Sequence, residues 1–123
     1  MPVSFNWEDK KQLYISYTGT ITGQEVLESQ SAITDNYPFE DLRGIVLDVS
    51  QVKENLCVES DVVKVSAVAQ AQAKTNPKIK NAIVLGANEE SQAFTAYYQL
   101  LAESTGWDIE MFSSEQDARD WLG

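Results

Sequence analysis

The chain predicts a single α/β domain built on a mixed sheet, with its elements in the order β-β-α-β-α-β-α-β-α. Three patterns point there. Val3-Phe5-Trp7 and Leu13-Ile15-Tyr17 alternate with intervening residues, the period-two mark of half-buried strands. Further along, short apolar runs alternate with segments whose apolar residues recur at helical spacing, which implies parallel strands joined by helices. Between these segments stand residues that start or stop helices. The 123 residues fit one domain, residues 1–123, and no linker, repeat or low-complexity tract divides them.

The first two strands flank Glu8-Asp9-Lys10-Lys11, a polar turn, and so read as an antiparallel hairpin. Gly19-Thr20-Ile21 leads into Thr22-Gly23-Gln24-Glu25. Thr22 and Glu25 have capping-box spacing: the hydroxyl accepts an orphan amide while the carboxylate reaches back. A helix is predicted from there to about Asn36, with Val26, Ile33 and Tyr37 inward. Pro38 ends it by disfavouring helix in the residue before it. Gly44–Val49 is a nearly continuous apolar run, as suits a strand covered on both faces, and a polar loop is expected after Asp48-Val49-Ser50.

A second helix should open at Ser60, with Val62, Val65, Ala69 and Ala73 inward and Asn76-Pro77 at its end. Ser60 is its expected cap, worth about 1 kcal/mol. Ala82–Leu85 is the next buried strand. Gly86-Ala87-Asn88 turns into a third helix with Phe94, Tyr97 and Leu101 on its inner face, and Gly106 sits where a left-handed cap belongs. Trp107–Phe112 is the last strand. Ser113-Ser114-Glu115-Gln116 opens a final helix expected to bury Ala118, Trp121 and Leu122. As its anchor, Trp121 should cost roughly 3–5 kcal/mol when replaced by Ala.

Composition narrows the function. Nine basic and 19 acidic side chains give a net charge of −10, which phosphate backbones repel, so neither nucleic acid nor an anionic membrane is an expected partner. The lone Cys57 excludes an intrachain disulfide. It reads as a small half-buried residue, because no cation closer than Lys53 is available to lower its pKa. The absence of histidine removes the commonest general base and zinc ligand, and no metal or cofactor is expected. No stretch approaches the ~18–20 apolar residues that span a bilayer. The N-terminal MPVSFNWEDKK lacks the charged-then-apolar order of a signal peptide, so a cytoplasmic location is expected.

Three stretches carry a family resemblance: Gly19-Thr20-Ile21-Thr22 before the first helix, Ile45-Val46-Leu47-Asp48-Val49-Ser50 at the third strand, and the closing run from Met111 to Leu122. The last is similar to a Phe-x-Ser-x-Glu-x-Ala-x-x-Trp-Leu ending. Together with the element order, they resemble the STAS fold of anti-sigma-factor antagonists, and more closely the SpoIIAA-like proteins of bacteria. The resemblance covers nearly the whole chain. It implies a STAS-like (SpoIIAA-like) mixed sheet and a non-enzymatic interaction or regulatory role, with lipid or small-ligand binding suggested for some members. STAS antagonists carry Asp-Leu-Ser after that strand and Asp-Ser-Ser-Gly at the next helix, where a partner kinase phosphorylates a serine. Asp48-Val49-Ser50 matches the first element. Glu59-Ser60-Asp61 is nearest to the second, with a longer loop and no glycine.

Candidate chemistry falls in few places. Asp48 and Ser50 lie where a strand's carboxyl end should meet a loop, which is either a ligand or partner site or an Asp-turn closed on backbone amides. Phosphate on Ser60 would be welcomed by a helix N-terminus and repelled by Glu59 and Asp61. A Ser60–Lys64 dyad is outweighed by capping and solvation. Gly86–Glu90 also opens a helix, but its two carboxylates disfavour an anion, and no nucleotide-binding motif accompanies it. Phe94, Tyr97, Tyr98 and Leu101 make one helix apolar over more than a single stripe. With Val65 and Ala69 they form a pocket, a dimer face or plain core.

No constellation supplies both a nucleophile and a base. The expected function is therefore a protein-interaction or regulatory module, acting on a protein partner or as a homodimer. The alternative is a carrier of a small apolar or lipid-like ligand held between sheet and helices. An exposed apolar patch would mark the module. A closed apolar pocket of at least ~300 Å³ would mark the carrier.

Overall fold

The computed structural model describes residues 3–8, 11–94, 97, 99, 103 and 105–123. The strands are β1 (Val3–Glu8), β2 (Gln12–Ile21), β3 (Gly44–Asn55), β4 (Lys80–Val84) and β5 (Asp108–Phe112). The helices are α1 (Gly23–Asn36), α2 (Glu59–Thr75), α3 (Glu89–Gln92) and α4 (Glu115–Leu122), with a 3₁₀ turn at Phe39–Asp41. Beyond α3, the described residues Phe94, Tyr97, Gln99, Glu103 and Thr105 are also helical. The expected helical position Leu101 lies outside the described residues.

The five strands lie in the order β1-β2-β3-β4-β5. The β1–β2 pair is antiparallel and the others are parallel. Parallel strands laid down successively in one direction, each with a right-handed crossover, send their connecting helices to one face. On that face Leu13, Ile15, Tyr17, Ile45, Leu47, Val49 and Ile83 pack against Val26 and Ile33 of α1, Val65, Ala69 and Ala73 of α2, and Phe94. Each large aliphatic side chain so buried stabilises the fold by roughly 1.5–3 kcal/mol before entropy is counted. The opposite face is left to α4, which rests Ala118 on Val46, Ala82 and Val84.

The expected capping box forms at α1. Glu25 N donates to Thr22 Oγ1 at 3.2 Å, and Thr22 N donates to Glu25 Oε1 at 3.0 Å. Tyr37, extended after the last turn, stacks its ring near those of Phe5 and Trp7, with centroids 5.9 Å from each. Gly106 has the left-handed φ of +75° expected of it.

Four expectations are corrected. First, β3 does not stop at Val49. It runs to Asn55 and pairs with β2 as far as Ile21, well past the end of β4. Two bulges each put an extra residue into β3, between Asp48 and Gln51 and between Val52 and Glu54. They break the period-two pattern, so Val49 and Val52, three residues apart, are both fully buried. Second, β4 starts at Lys80 and ends at Val84.

Third, Ser60 does not cap α2. The N-cap is Val58, and its amide donates to Asp61 Oδ2 at 2.9 Å. Ser60 sits exposed inside the first turn. Ser60→Ala should therefore change stability by less than about 0.5 kcal/mol, while Asp61→Ala should cost about 1 kcal/mol. Urea melts of the two variants decide the point, and equal losses would restore Ser60 as the cap.

Fourth, Trp121 is half-buried and is no core anchor. Its ring meets Phe112 at 5.7 Å between centroids, with the Lys80 ammonium 5.1 Å above it. Trp121→Ala should cost about 2 kcal/mol, below the 3–5 kcal/mol of a fully buried aromatic. A thermal melt reads the difference. The buried tryptophan is Trp107, whose indole N–H donates to Asn76 O at 2.9 Å. Asn76 in turn donates through Nδ2 to Phe39 O and Leu42 O and accepts from Lys78 N, tying α2's end to the strands' amino ends.

A charge cluster clamps α4. Arg119 meets Glu8 of β1 at 2.6 Å and Glu115 one turn back at 2.6 Å. Hydrogen bonds from Arg119 hold the Glu8 carboxyl below the ordinary glutamate range, against the opposing effect of burial. A carboxylate depressed in the folded state stabilises above its unfolded pKa, roughly 4.3. That contribution is lost as pH falls through the lower folded value. The Tm gap between the native chain and Glu8→Gln should thus be constant above about pH 5 and close in more acid solution. A gap that widens with acid would contradict the pairing.

Candidate functional site

The sites expected from sequence fall on both faces of the sheet. Asp48 and Ser50 lie inside β3, at its first bulge, and not at a strand end. Asp48 Oδ1 accepts from Ser50 N at 2.9 Å and from Ser50 Oγ at 2.6 Å, which satisfies the amide that the bulge displaces. Asp48 Oδ2 accepts from Tyr14 OH at 2.7 Å, on the α4 side. Burial, followed by the Asp48 carboxylate, pushes the Tyr14 phenol well up, so it stays a donor. Ser50 also borders a groove of about 650 Å³ with Gly86, Gln92 and Phe112. Gly86 is needed there, because a Cβ on it would stand 2.7 Å from Ser50 O. Ser60 lies on α2, which covers the other face, so it does not share a site with Asp48 and Ser50.

The second place is the far end of the β2–β3 ribbon. By running past β4, β3 carries Asn55, Leu56, Cys57 and Val58 to the start of α2. This loop is held at four points. Leu56 N donates to Ile21 O at 2.8 Å, Cys57 N to Asn55 Oδ1 at 3.0 Å, Asn55 N to Glu90 Oε2 at 2.9 Å, and Asn88 Nδ2 to Val52 O at 3.1 Å. Behind it opens a pocket of about 290 Å³. Val26 of α1, Val62 and Val65 of α2, and Ala93, Phe94 and Tyr97 give its apolar wall. Asn55, Cys57, Val58, Glu59 and Asp61 give its rim. Phe94 meets Tyr97 edge-on at 6.1 Å between centroids.

Of the pocket residues expected from sequence, Val65, Phe94 and Tyr97 line this cavity. Ala69 is fully buried in the core and does not line it. Tyr98 and Leu101 lie outside the described residues. Burial pushes the Cys57 thiol up to about 11, helped by the Asp61 and Glu25 charges, so it stays protonated at neutral pH. Among the described residues no group of three or more His, Cys, Asp or Glu is placed to hold a metal ion. No helix among them is long and apolar enough to cross a membrane.

Sequence reasoning missed three exposed apolar side chains, one of which, Val58, lines the pocket. Leu56, Val58 and Val63 are 50%, 58% and 61% exposed, large apolar side chains left in water. A signal existed for one of them. At 100° per residue, Val63 falls about 80–160° from each member of the stripe of Val62, Val65, Ala69 and Ala73, too far to be buried with it. Leu56 and Val58 gave no such signal, because their exposure follows from the ribbon's length.

A five-stranded mixed sheet with an N-terminal hairpin, three crossovers on one face and a closing helix on the other defines a SpoIIAA-like fold. The chain has that fold. It resembles the anti-sigma factor antagonist SpoIIAA in its unphosphorylated form, with a TM-score of 0.61 and 10% identity over 98% of this chain and 96% of that one. SpoIIAA in its phosphorylated form, described as a Bacillus cell fate determinant, is similar over 98% and 99% of the two chains, with a TM-score of 0.60 and 11% identity. An uncharacterised protein of the DUF3478 family with a SpoIIAA-like fold, from Shewanella loihica PV-4, gives a TM-score of 0.62 at 13% identity over 98% and 92%. No family model and no curated protein matches the sequence. At such identities the likeness is one of fold.

Proposed function

We propose that this chain is a non-enzymatic interaction module that recruits a protein partner through the surface around Leu56, Val58 and Val63. One observation carries the reading: Leu56, Val58 and Val63 are large apolar side chains each at least half exposed, close together in sequence, and Val58 also lines an apolar pocket. On a soluble domain, exposed apolar area that is contiguous marks an interaction surface. The rim carboxylate of Asp61 is engaged in capping α2, so it is not offered as a general base. The likeness to an anti-sigma factor antagonist fits a regulatory role, and exposed Ser60 is the candidate for phosphorylation at this rim. Ser50 is committed to Asp48 and is not.

A photo-crosslinking residue at Val63, with a control at exposed Lys74 near the far end of α2, tests this in the source cell. A discrete protein adduct from position 63 alone supports the module, and its mass distinguishes a second copy from another protein. Equal patterns from both positions would refute it. The pocket favours one other reading, a small apolar or lipid-like ligand, since about 290 Å³ is close to the ~300 Å³ lower bound of ligand pockets. A native mass spectrum with a non-covalent adduct lost on denaturation would move the assignment there.

A further inference from the structure

We infer that the partner segment at this surface is a cationic amphipathic one, whose apolar anchor enters the pocket behind Val58 while its Lys or Arg side chains meet the rim carboxylates. The inference rests on the interaction-module reading and adds the partner's chemistry.

The electrostatics of the rim carry it. Glu59 and Asp61 line the pocket. Glu90 is bonded to the Asn55 amide at the same rim. Glu25 acts on the Cys57 thiol from the start of α1. First-turn carboxylates complement helix dipoles, so part of this charge is structural. The N-termini of α1 and α2 supply about half a positive charge each, which offsets about one of the four negative charges. About three remain. Among the described residues no Lys or Arg lines the pocket. The nearest cations in sequence, Lys53 and Lys64, are both exposed. Lys64 lies about 60° round α2 from Asp61 and about 100° from Val65, beside the pocket-lining face but not among the lining residues.

The apolar side of the match is equally specific. Val26, Val58, Val62, Val65 and Phe94 line the pocket, and Leu56 and Val63 are exposed apolar side chains within a few residues of that lining in sequence. An amphipathic helix presents such a pattern, one apolar stripe flanked by charge. An anionic or neutral segment would bury the same apolar area while facing uncompensated negative charge.

The test uses two synthetic peptides of about 18 residues with identical leucine faces, one with lysine and one with glutamate on the polar face. Binding to the full chain is followed by NMR or fluorescence anisotropy. At about 50 mM salt the lysine peptide should bind at least tenfold tighter, and the ratio should fall toward one near 1 M salt, where the Debye length is about 3 Å. The double change Val58→Ser with Val63→Ser should weaken the lysine peptide at least tenfold, and Glu59→Lys should narrow the preference between peptides.

Equal affinity for the two peptides would overturn the charge inference and leave the apolar surface standing. Undiminished binding by the Val58→Ser, Val63→Ser protein would overturn it too, since attraction to the overall charge of −10 would then suffice. Failure of both peptides to bind would reject this partner chemistry, while crosslinking at Val63 judges the underlying reading separately. Thermal melts of the variants check that each is folded.

Discussion

Replacing Trp107 with alanine will cost the fold about 3–5 kcal/mol, the largest single effect expected in this chain. Trp107 is 4% exposed and belongs to the main core. It stands just before β5, where the chain enters the last strand, and its ring closes the amino-end side of the sheet. The change removes a buried aromatic and also leaves the Asn76 carbonyl without its indole donor. Trp107→Phe separates the two contributions, because it retains most of the ring and deletes the hydrogen bond. That variant should lose about 1–2 kcal/mol, the worth of one buried bond plus a small cavity. Urea denaturation of both measures the split. A loss below about 1 kcal/mol for Trp107→Ala would mean that the ring does not hold the core, and equal losses for both would put the whole effect in the hydrogen bond.

Gly23→Ala should be the second largest, a net loss of about 2–3 kcal/mol. A methyl group in the first turn of a helix ordinarily helps, by up to about 1 kcal/mol relative to glycine. Here a Cβ would stand 1.9 Å from Asp61 Oδ2 and 2.6 Å from Asp61 Cβ. Rotating the carboxylate does not relieve the second contact, so the first turn of α2 must move. It then loses the bond from Val58 N and opens the α1–α2 contact beside the pocket. The double variant Gly23→Ala, Asp61→Ala checks the cause. If the clash is the mechanism, it should be no less stable than Gly23→Ala alone, and the two losses should not add. Full additivity would exclude it. Since Gly23 lies against Asp61, a rim residue of the candidate site, the same variant should also weaken any ligand or partner held there.

These two residues lie at opposite ends of the fold, and neither was singled out as critical from sequence. What was legible is what local chemistry decides. The Thr22–Glu25 box is complete within four residues, so its hydrogen bonds could be read from spacing. The β1–β2 hairpin follows from two alternating runs around a polar turn. The order of strands and helices follows from periodicity, and with right-handed crossovers it brings the sheet topology with it.

The candidate site was legible in part. Val65, Phe94 and Tyr97 do line one cavity, since helical spacing marks their common inner faces. Asp48 and Ser50 are hydrogen-bonded to each other, but their setting inside a strand was not legible. A bulge adds a residue without leaving a mark in composition, so the run from Gln51 to Asn55 read as loop although it is paired strand. The same error hid two exposed apolar side chains, because Leu56 and Val58 owe their place to a ribbon that outruns β4. Ser60 lost its capping role to Asp61 for a related reason: the helix starts earlier than the hydroxyl suggests, and a carboxylate three residues from Val58 reaches its amide.

By itself the sequence determined the α/β order, the hairpin, the first cap and the acidic character, because each depends on residues within a few positions of one another or on composition alone. Only the tertiary structure decided how far β3 runs, which tryptophan is buried, why Gly23 must lack a side chain and which apolar residues face water. Each of those depends on contacts between segments far apart in the chain, where packing overrides local preference.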